Sequence, residues 1–453
     1  MSAPGSIAIV QQAAEYLVWV EPDLSLRPVL ATSWKAADGG RTWVFDIRPG
    51  VRFHDGRELT ADDVVATFQR LVDPASAGAG AAQLPFLARE GVSKLGDHRV
   101  RFALERPIGR FPYYTNTYNA VILPADYAGD FAERPVGTGP FRMTAFEPKR
   151  GARFARNEAY WDEGRPYLDA VEIALLESQQ AMTLALRDGR ADVVLRASYP
   201  DVRPLIGDPR FEILGVPSAE HRQLAMRCDR KPFNDRRVRQ AVALAIGRQD
   251  LVLDLLGGEA DVGNDHVVAP IYPEQVQLPQ READVTAARR LLAQAGYPNG
   301  FQAELYTAQY AELPQYAQFA RRMLGSIGIR LDLKVEPLDV YYGHWTEVTF
   351  GLTDWTSRPT PEQILSVAFR GGAGWNQARW ANREFDEIVA GLEAEPDPAR
   401  RAGLAQRAAE ILREEVPAVI AYFNHNLRPM RSGVAGVPGS ISQFLDLTSA
   451  HLA

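Results

Sequence analysis

Residues 301–335 constrain the fold of this chain more than any other stretch. "FQAELYT" (301–307) reads as a strand, a helical pattern follows over roughly 313–326, Gly328 closes it, and "IRLDLKV" (329–335) reads as a second strand. A strand–helix–strand unit of this kind implies a parallel pair with a right-handed crossover, hence an α/β domain. Nearby segments agree. Asp235 can cap a helix through 236–256, and residues 284–296 form a short helix ended by Gly296. A helix at about 398–415 precedes "AVIAYF", a buried-strand candidate. The N-terminal half has a different texture. "RTWVFDIR" (41–48) alternates, with Trp43, Phe45 and Ile47 on one face, and "RVRFAL" (99–104) reads as a further strand. Between them Thr60 and Asp63 make a capping-box start for a helix carrying Val64, Phe68 and Leu71. With 453 residues, a β-rich first half and an α/β second half, the chain divides into more than one domain. The default place for a ligand is then a cleft between domains.

Several function classes are set aside. A net charge of -7 argues against nucleic acid as the main partner. No run approaches the roughly 20 apolar residues that span a bilayer. The N-terminus, "MSAPGSIAIVQQAAEYL", has no basic stretch followed by an apolar one, so no signal peptide is read in it. The single cysteine, Cys228, reads as a small half-buried side chain. The seven histidines form neither HExxH nor HxH, so no metal site is expected. No G-x-S-x-G elbow and no P-loop appear. "VGTGPF" (136–141) lacks the lysine and the glycine spacing of a phosphate loop, and Pro140 removes a backbone donor, so it reads as a tight turn. Asp62 and Asp63 sit in a first helical turn, where the helix dipole favours acids. No pair of carboxylates stands out as an acid/base couple. No catalytic residue and no cofactor is expected, and the chain reads as a binder rather than an enzyme.

Four ordered blocks carry a resemblance. "LRPVLATSWKAADGGRTWVFDIRPGVRFHDGRELTADDVVATFQRL" (26–71) resembles the signature block of the family 5 extracellular solute-binding proteins, the peptide-, nickel- and opine-type receptors of ABC importers. "VGTGPFRMTAFEPKRGARFARNEAYWDEGRPYLDAVEI" (136–173), "KPFNDRRVRQAVALAIGRQDLV" (231–252) and "ARRLLAQAGYPNGF" (288–301) are similar to the blocks that follow. The resemblance implies an α/β, two-lobed periplasmic-binding-protein-like fold (type II, cluster C) with an extra domain inserted in lobe I. Carried over, lobe I is 1–17, 138–236 and 428–453, the inserted domain is 18–137, and lobe II is 237–427. It further implies a periplasmic monomer that captures a small solute by hinge closure and delivers it to the membrane permease subunits of an ABC transporter. Members usually begin with a further strand and an "LDP"-like segment ahead of the equivalent of "EYLV", which this sequence does not show.

The resemblance also points to "GLTDWTSRPTPEQIL" (351–365) as part of the ligand wall. Peptide-binding relatives hold an aspartate there, in a W-x-x-D-x-x-x-P pattern, that receives the peptide ammonium. Aligned on Trp355, Arg358 takes that place; aligned on Pro361, Ser357 does. Asp354 lies just before the tryptophan and would have to be swung in. A guanidinium pairs with carboxylate or phosphate, not with ammonium. The expected solute is therefore peptide-like, opine-like or a sugar conjugate, with an anionic or polar group. In the bland alternative Arg358 pairs with a neighbouring acid or carbonyl outside the pocket. Oligopeptide and nickel-chelate receptors remain alternatives within the family, and a hydrolase on the same scaffold is the competing class. Trp355, Trp375 and Tyr342 are candidate flat surfaces, and Asn376 a candidate amide. Tyr118 and Asn119 are candidates from the inserted domain. Pro359 and Pro361 stiffen the loop, and Pro361 with Glu362 suits the first turn of a helix running through Phe369.

Overall fold

The computed structural model describes residues 4–73, 83–442 and 444–453. Contacts divide the chain into two compact units. The first comprises Met1–Leu195, Pro209–Glu212 and Met430–Ala453; the second comprises Arg196–Asp208 and Ile213–Pro429. Residues 196–208 and 213–236, expected in lobe I, make their contacts in the second unit, whose sheet takes in the 211–226 strand.

The first unit holds a four-stranded antiparallel sheet ordered 31–37, 42–47, 99–103, 92–96, and a three-stranded one ordered 141–147, 151–156, 170–174. Strand Thr42–Ile47 buries Trp43, Phe45 and Ile47 and leaves the alternate residues half-exposed, as its alternation requires. Helix Ala61–Leu71 starts at the expected capping box: Thr60 N donates to Asp63 Oδ2 at 2.8 Å. Asp62 pairs with Lys94 at 2.7 Å, so both acids of that pair have structural partners.

The "VGTGPF" turn has a packing role. A Cβ on Gly137 would lie 2.1 Å from the Ala13 carbonyl oxygen, and one on Gly139 would lie 2.6 Å from the Ala13 carbonyl carbon. Only glycine lets the two backbones approach so closely. Between them Thr138 donates to Glu15 Oε2 at 2.8 Å, while Tyr160 donates to Glu15 Oε1 at 2.7 Å and Trp161 Nε1 reaches Oε2 at 3.0 Å. Burial nonetheless pushes the Glu15 carboxyl up from 4.5 to about 7, against the pull of these three donors; Asp446 adds to the rise. The native state therefore holds this proton more tightly than the unfolded chain. The stability it contributes is complete below pH 4.5 and is lost as pH rises through 7, a swing of roughly 3 kcal/mol. A Glu15→Gln variant should show a flatter melting-temperature profile between pH 5 and 8, and should gain on the native protein toward pH 8. Parallel profiles would show that the donors already compensate the charge.

The second unit is built on a six-stranded sheet, ordered 260–262, 418–431, 211–226, 350–355, 302–308, 330–336. The unit expected at 301–335 is present: strands Gln302–Ala308 and Arg330–Glu336 pair in parallel, joined by helix Leu313–Gly325. Strand Phe350–Trp355 is parallel to 302–308, and 211–226 is antiparallel to 350–355. Leu224, Met226, Leu305, Phe350 and Leu352 meet Val238, Val242, Tyr316, Ala320 and Leu324 from the covering helices in one buried core.

The helix expected over 236–256 is two helices, Arg236–Ala245 and Arg248–Leu256, with Ile246 and Gly247 extended between them. The break has a tertiary cause. Arg248 turns inward, and its guanidinium meets both oxygens of the buried Asp265 at 2.6 Å; Arg281 closes on the same carboxylate at 2.6 Å. Helices Val285–Gln294 and Pro398–Glu415 lie where the sequence places them. Cys228 is half-buried, and burial pushes its thiol up to about 11, so it is an inert side chain.

Candidate functional site

Three parallel strands of the second unit, 302–308, 330–336 and 350–355, point their carboxyl ends to one edge of the sheet. Such edges are where open α/β sheets hold ligands. Each strand delivers side chains there. After the first come Tyr310 and Glu312. After the second comes helix Leu338–His344, carrying Tyr341 and Tyr342. The third ends at Asp354 and Trp355 and continues into Ser357 and Arg358. The neighbouring strand 211–226 adds Glu220, His221 and Arg222, with His221 opposite Trp355 and Arg222 opposite Asp354.

A buried ion cluster supports this edge. Arg222 Nε donates to Glu312 Oε1 at 2.7 Å, and its NH1 donates to Glu220 Oε1 at 2.8 Å. Arg196 pairs with the same Glu220 oxygen. Tyr422 donates to Glu312 at 3.1 Å, and Asn424 donates to Glu220 at 3.2 Å. Arg222 is fully buried, and both glutamates are 2% exposed, so these charges are stable only together. Burial alone would raise Glu312, but the Arg222 guanidinium and its hydrogen bonds override this and bring the carboxyl down to about 2. Glu220 is likewise lowered: its burial is outweighed by Arg196 and Arg222. His221 is pushed down to about 4 by burial; its Nδ1 lies 2.9 Å from Ala219 O, which suits a neutral structural ring.

Aromatic rings form a continuous string along the edge. Centroids run Tyr341–Tyr342 at 5.4 Å, Tyr342–Trp345 at 6.1 Å, Trp345–Trp355 at 5.7 Å and Trp355–Trp375 at 6.2 Å. Edge-to-face and tilted pairs at these distances add about 0.5–1.5 kcal/mol each beyond burial. Tyr341 and Trp355 are buried, while Tyr342, Trp345 and Trp375 are half-exposed. Trp355 Nε1 is buried with no hydrogen-bond partner among the described residues. Tyr342 donates its phenol hydrogen to Asp354 Oδ1. Burial, followed by the Asp354 charge, raises the Tyr342 pKa far above that of a free phenol, so it stays a donor.

The structure thus brings together Trp355, Ser357, Arg358, Trp375 and Tyr342 of the expected residues. Ser357 is 4% exposed, and its Oγ accepts from Ala219 N at 3.1 Å. Arg358 is half-buried, and its carbonyl accepts from the Tyr272 hydroxyl at 2.8 Å. Asn376 is 1% exposed and its NH2 donates to the carbonyls of Arg370 (3.1 Å) and Trp380 (2.7 Å), so its amide nitrogen is occupied by its own loop. Tyr118 and Asn119 belong to the first unit: the Tyr118 carbonyl accepts from Tyr16 OH at 3.2 Å, and Asn119 Oδ1 accepts from Thr117 at 3.1 Å. Sequence reasoning passed over Arg196, Glu220, Arg222, Tyr310 and Glu312. Charged residues at 220 and 222, two apart within a buried strand, are the signal that marks a buried polar edge. No group of three or more potential metal-ligating His, Cys, Asp or Glu side chains occurs among the described residues.

The model of the bacterial extracellular solute-binding proteins, family 5 (Middle), matches residues 25–377, well over half of the chain. The chain belongs to that family. As a family 5 solute-binding protein it is a component of ABC importers. It is 26% identical to heme-binding protein A of Haemophilus influenzae, over 91% of this chain and 81% of that protein. It is also 26% identical to the glutathione-binding protein GsiB of Escherichia coli (strain K12), over 91% of this chain and 83% of that one. Among solved structures it resembles the periplasmic binding protein DppA of Helicobacter pylori in complex with peptide STSA (TM-score 0.86, 24% identity, 100% of this chain and 94% of that one). It equally resembles AgaA from A. tumefacien R10 in complex with agropinic acid (TM-score 0.86, 22% identity, 100% and 95%). These two likenesses establish the fold of the solute-binding protein. No helix among its described residues is long and apolar enough to cross a membrane.

Proposed function

We propose that this solute-binding protein captures a small peptide-like, opine-like or sugar-conjugate solute bearing an anionic or polar group, and releases it unchanged to the permease of its importer. The observation that carries the reading is the end of the 350–355 strand. Where the resemblance puts an aspartate in peptide receptors, this chain has Arg358 when aligned on Trp355 and Ser357 when aligned on Pro361, with no acid in either register; Arg358 is half-buried, three residues after a tryptophan of the aromatic string. A guanidinium there suits carboxylate or phosphate recognition, and flat rings suit the apolar body of the solute. Trp355, Ser357, Arg358, Trp375 and Tyr342 are the contacts from the second unit. Asn376 contributes through its Oδ1, and Tyr118 and Asn119 remain proposed contacts. In this reading the first unit combines the inserted domain 18–137 with the part of lobe I outside 196–208 and 213–236, and the receptor acts as a periplasmic monomer without catalysis.

Native mass spectrometry of the purified protein tests the reading directly. A retained small solute bearing a carboxylate or phosphate is expected, and it should come off unchanged. Calorimetric titration with that solute should weaken at least tenfold in Arg358→Ala. Tight binding of unmodified di- and tripeptides would count against the Arg358 assignment. Turnover of the solute would move the protein to the competing hydrolase class.

A further inference from the structure

We infer that strand 330–336 is a self-complementary edge through which two copies of this chain pair about a two-fold axis. The inference goes beyond the receptor reading and does not depend on the solute; the monomer of that reading is then the form at low concentration. The strand is the last in the six-stranded sheet, and its one neighbour is 302–308. Arg330 N donates to Phe301 O, and Glu336 O accepts from Gln309 N. Residues 330, 332, 334 and 336 therefore turn their backbone groups toward that neighbour. The amides and carbonyls of Leu331, Leu333 and Val335 face the open edge, where no backbone partner stands against them among the described residues.

Sheets ordinarily protect such edges with short strands, bulges or proline. The opposite edge of this sheet does so, with only the three residues Ala260–Val262. Strand 330–336 has seven residues, no proline, and no bulge in its pairing with 302–308. Its sequence, "RLDLKVE", points to the occupant. In an antiparallel pair centred on Leu333, Leu333 meets its own copy and Leu331 meets Val335, all with outward-facing backbone groups, which gives about six interchain hydrogen bonds. In the same register Arg330 lies opposite Glu336 and Asp332 opposite Lys334, in the pairs where side chains approach most closely. Each opposition is attractive, and the two-fold axis repeats it. Sliding the register by two residues in either direction sets Asp332 or Lys334 against its own copy, so the charges select this register. Within one chain Asp332 and Lys334 pair at 2.7 Å and Glu336 pairs with His344 at 2.8 Å, while Arg330 has no ion-pair partner among the described residues. A second copy supplies the carboxylate that Arg330 lacks. Val335, Leu338 and Val340 add exposed apolar surface at the end of the strand and the start of the helix that follows.

Sedimentation velocity of the purified chain from about 1 to 300 µM tests the pairing, with monomer expected at the low end and dimer at the high end. Arg330→Glu sets two pairs of carboxylates face to face and should weaken association at least tenfold; Glu336→Arg should do the same with two pairs of guanidinium groups. An equimolar mixture of the two variants should associate again as a mixed dimer, because in that register every opposition is once more attractive. Circular dichroism should be unchanged in both variants. Amide hydrogen exchange at Leu331, Leu333 and Val335 should slow as the concentration of the native chain rises. A chain that stays monomeric at about 300 µM, a dimer indifferent to either variant, a mixture that fails to associate, or a dimer without slower exchange at those three amides overturns the inference. None of these outcomes bears on the solute reading, which native mass spectrometry and calorimetry decide.

Discussion

Arg222→Leu is expected to destabilise the second unit by about 3–5 kcal/mol at pH 7, because it leaves two buried carboxylates without their shared counter-ion. Arg222 holds Glu312 through Nε at 2.7 Å and Glu220 through NH1 at 2.8 Å, and both acids are buried. The loss should depend on pH. In the native protein the Glu312 carboxyl lies near 2 against 4.5 when unfolded, so its contribution is present above pH 4.5 and is lost as pH falls through 2. Without Arg222, burial would raise Glu312, which would protonate at moderate acidity, while Glu220 keeps Arg196. The deficit of Arg222→Leu should therefore shrink between pH 7 and pH 4. Adding Glu220→Gln and Glu312→Gln should recover part of it, since a neutral hydrogen-bonded group costs less to bury than an unpaired charge. Urea unfolding followed by tryptophan fluorescence measures this, because Trp345, Trp355, Trp375 and Trp380 all report on that unit. A deficit below 1 kcal/mol at pH 7, or one independent of pH, would show that the cluster relaxes around the vacancy.

Asp265→Asn is expected to cost about 3 kcal/mol or more by the same measurement, with the opposite charge left behind. Asp265 is fully buried between Arg248 and Arg281, with contacts of 2.6 Å to each, and Arg413 adds further positive charge nearby. Its φ of 61° lies in the left-handed region, which asparagine tolerates and alanine does not. Asp265→Ala should therefore lose about 1 kcal/mol more than Asp265→Asn. Equal losses in the two variants would separate the charge effect from the backbone effect and assign nearly all of it to charge. Helix 248–256 should be the first element to lose amide protection in either variant, since Arg248 anchors its first turn.

The legible parts of this fold are those written in local patterns. The alternation of Trp43, Phe45 and Ile47 specified a one-sided strand, and Thr60 with Asp63 specified a helix start. Glycines at 296 and 328, both at positive φ, marked helix ends, and the strand–helix–strand spacing at 301–335 specified a parallel pair. The break at Ile246–Gly247 was not legible, because its cause is a carboxylate 17 residues further on. The candidate site divides in the same way. The stiff loop of Pro359 and Pro361 and its aromatic neighbours were visible in order. The occupation of the Asn376 amide by its own loop was not, since three carbonyls around one NH2 are a product of chain folding.

By itself the sequence determined the family and the α/β class of the second half, since each is a matter of residue order and short-range period. Tertiary structure decided which charges share an environment. Glu312 reaches Arg222 across 90 residues and Asn424 reaches Glu220 across 204. Coulomb energy and desolvation depend on distance and burial, which residue order does not encode. For that reason Asp354, which in the sequence only precedes a tryptophan, becomes in the folded sheet the acceptor of the Tyr342 hydroxyl, opposite Arg222 on the neighbouring strand.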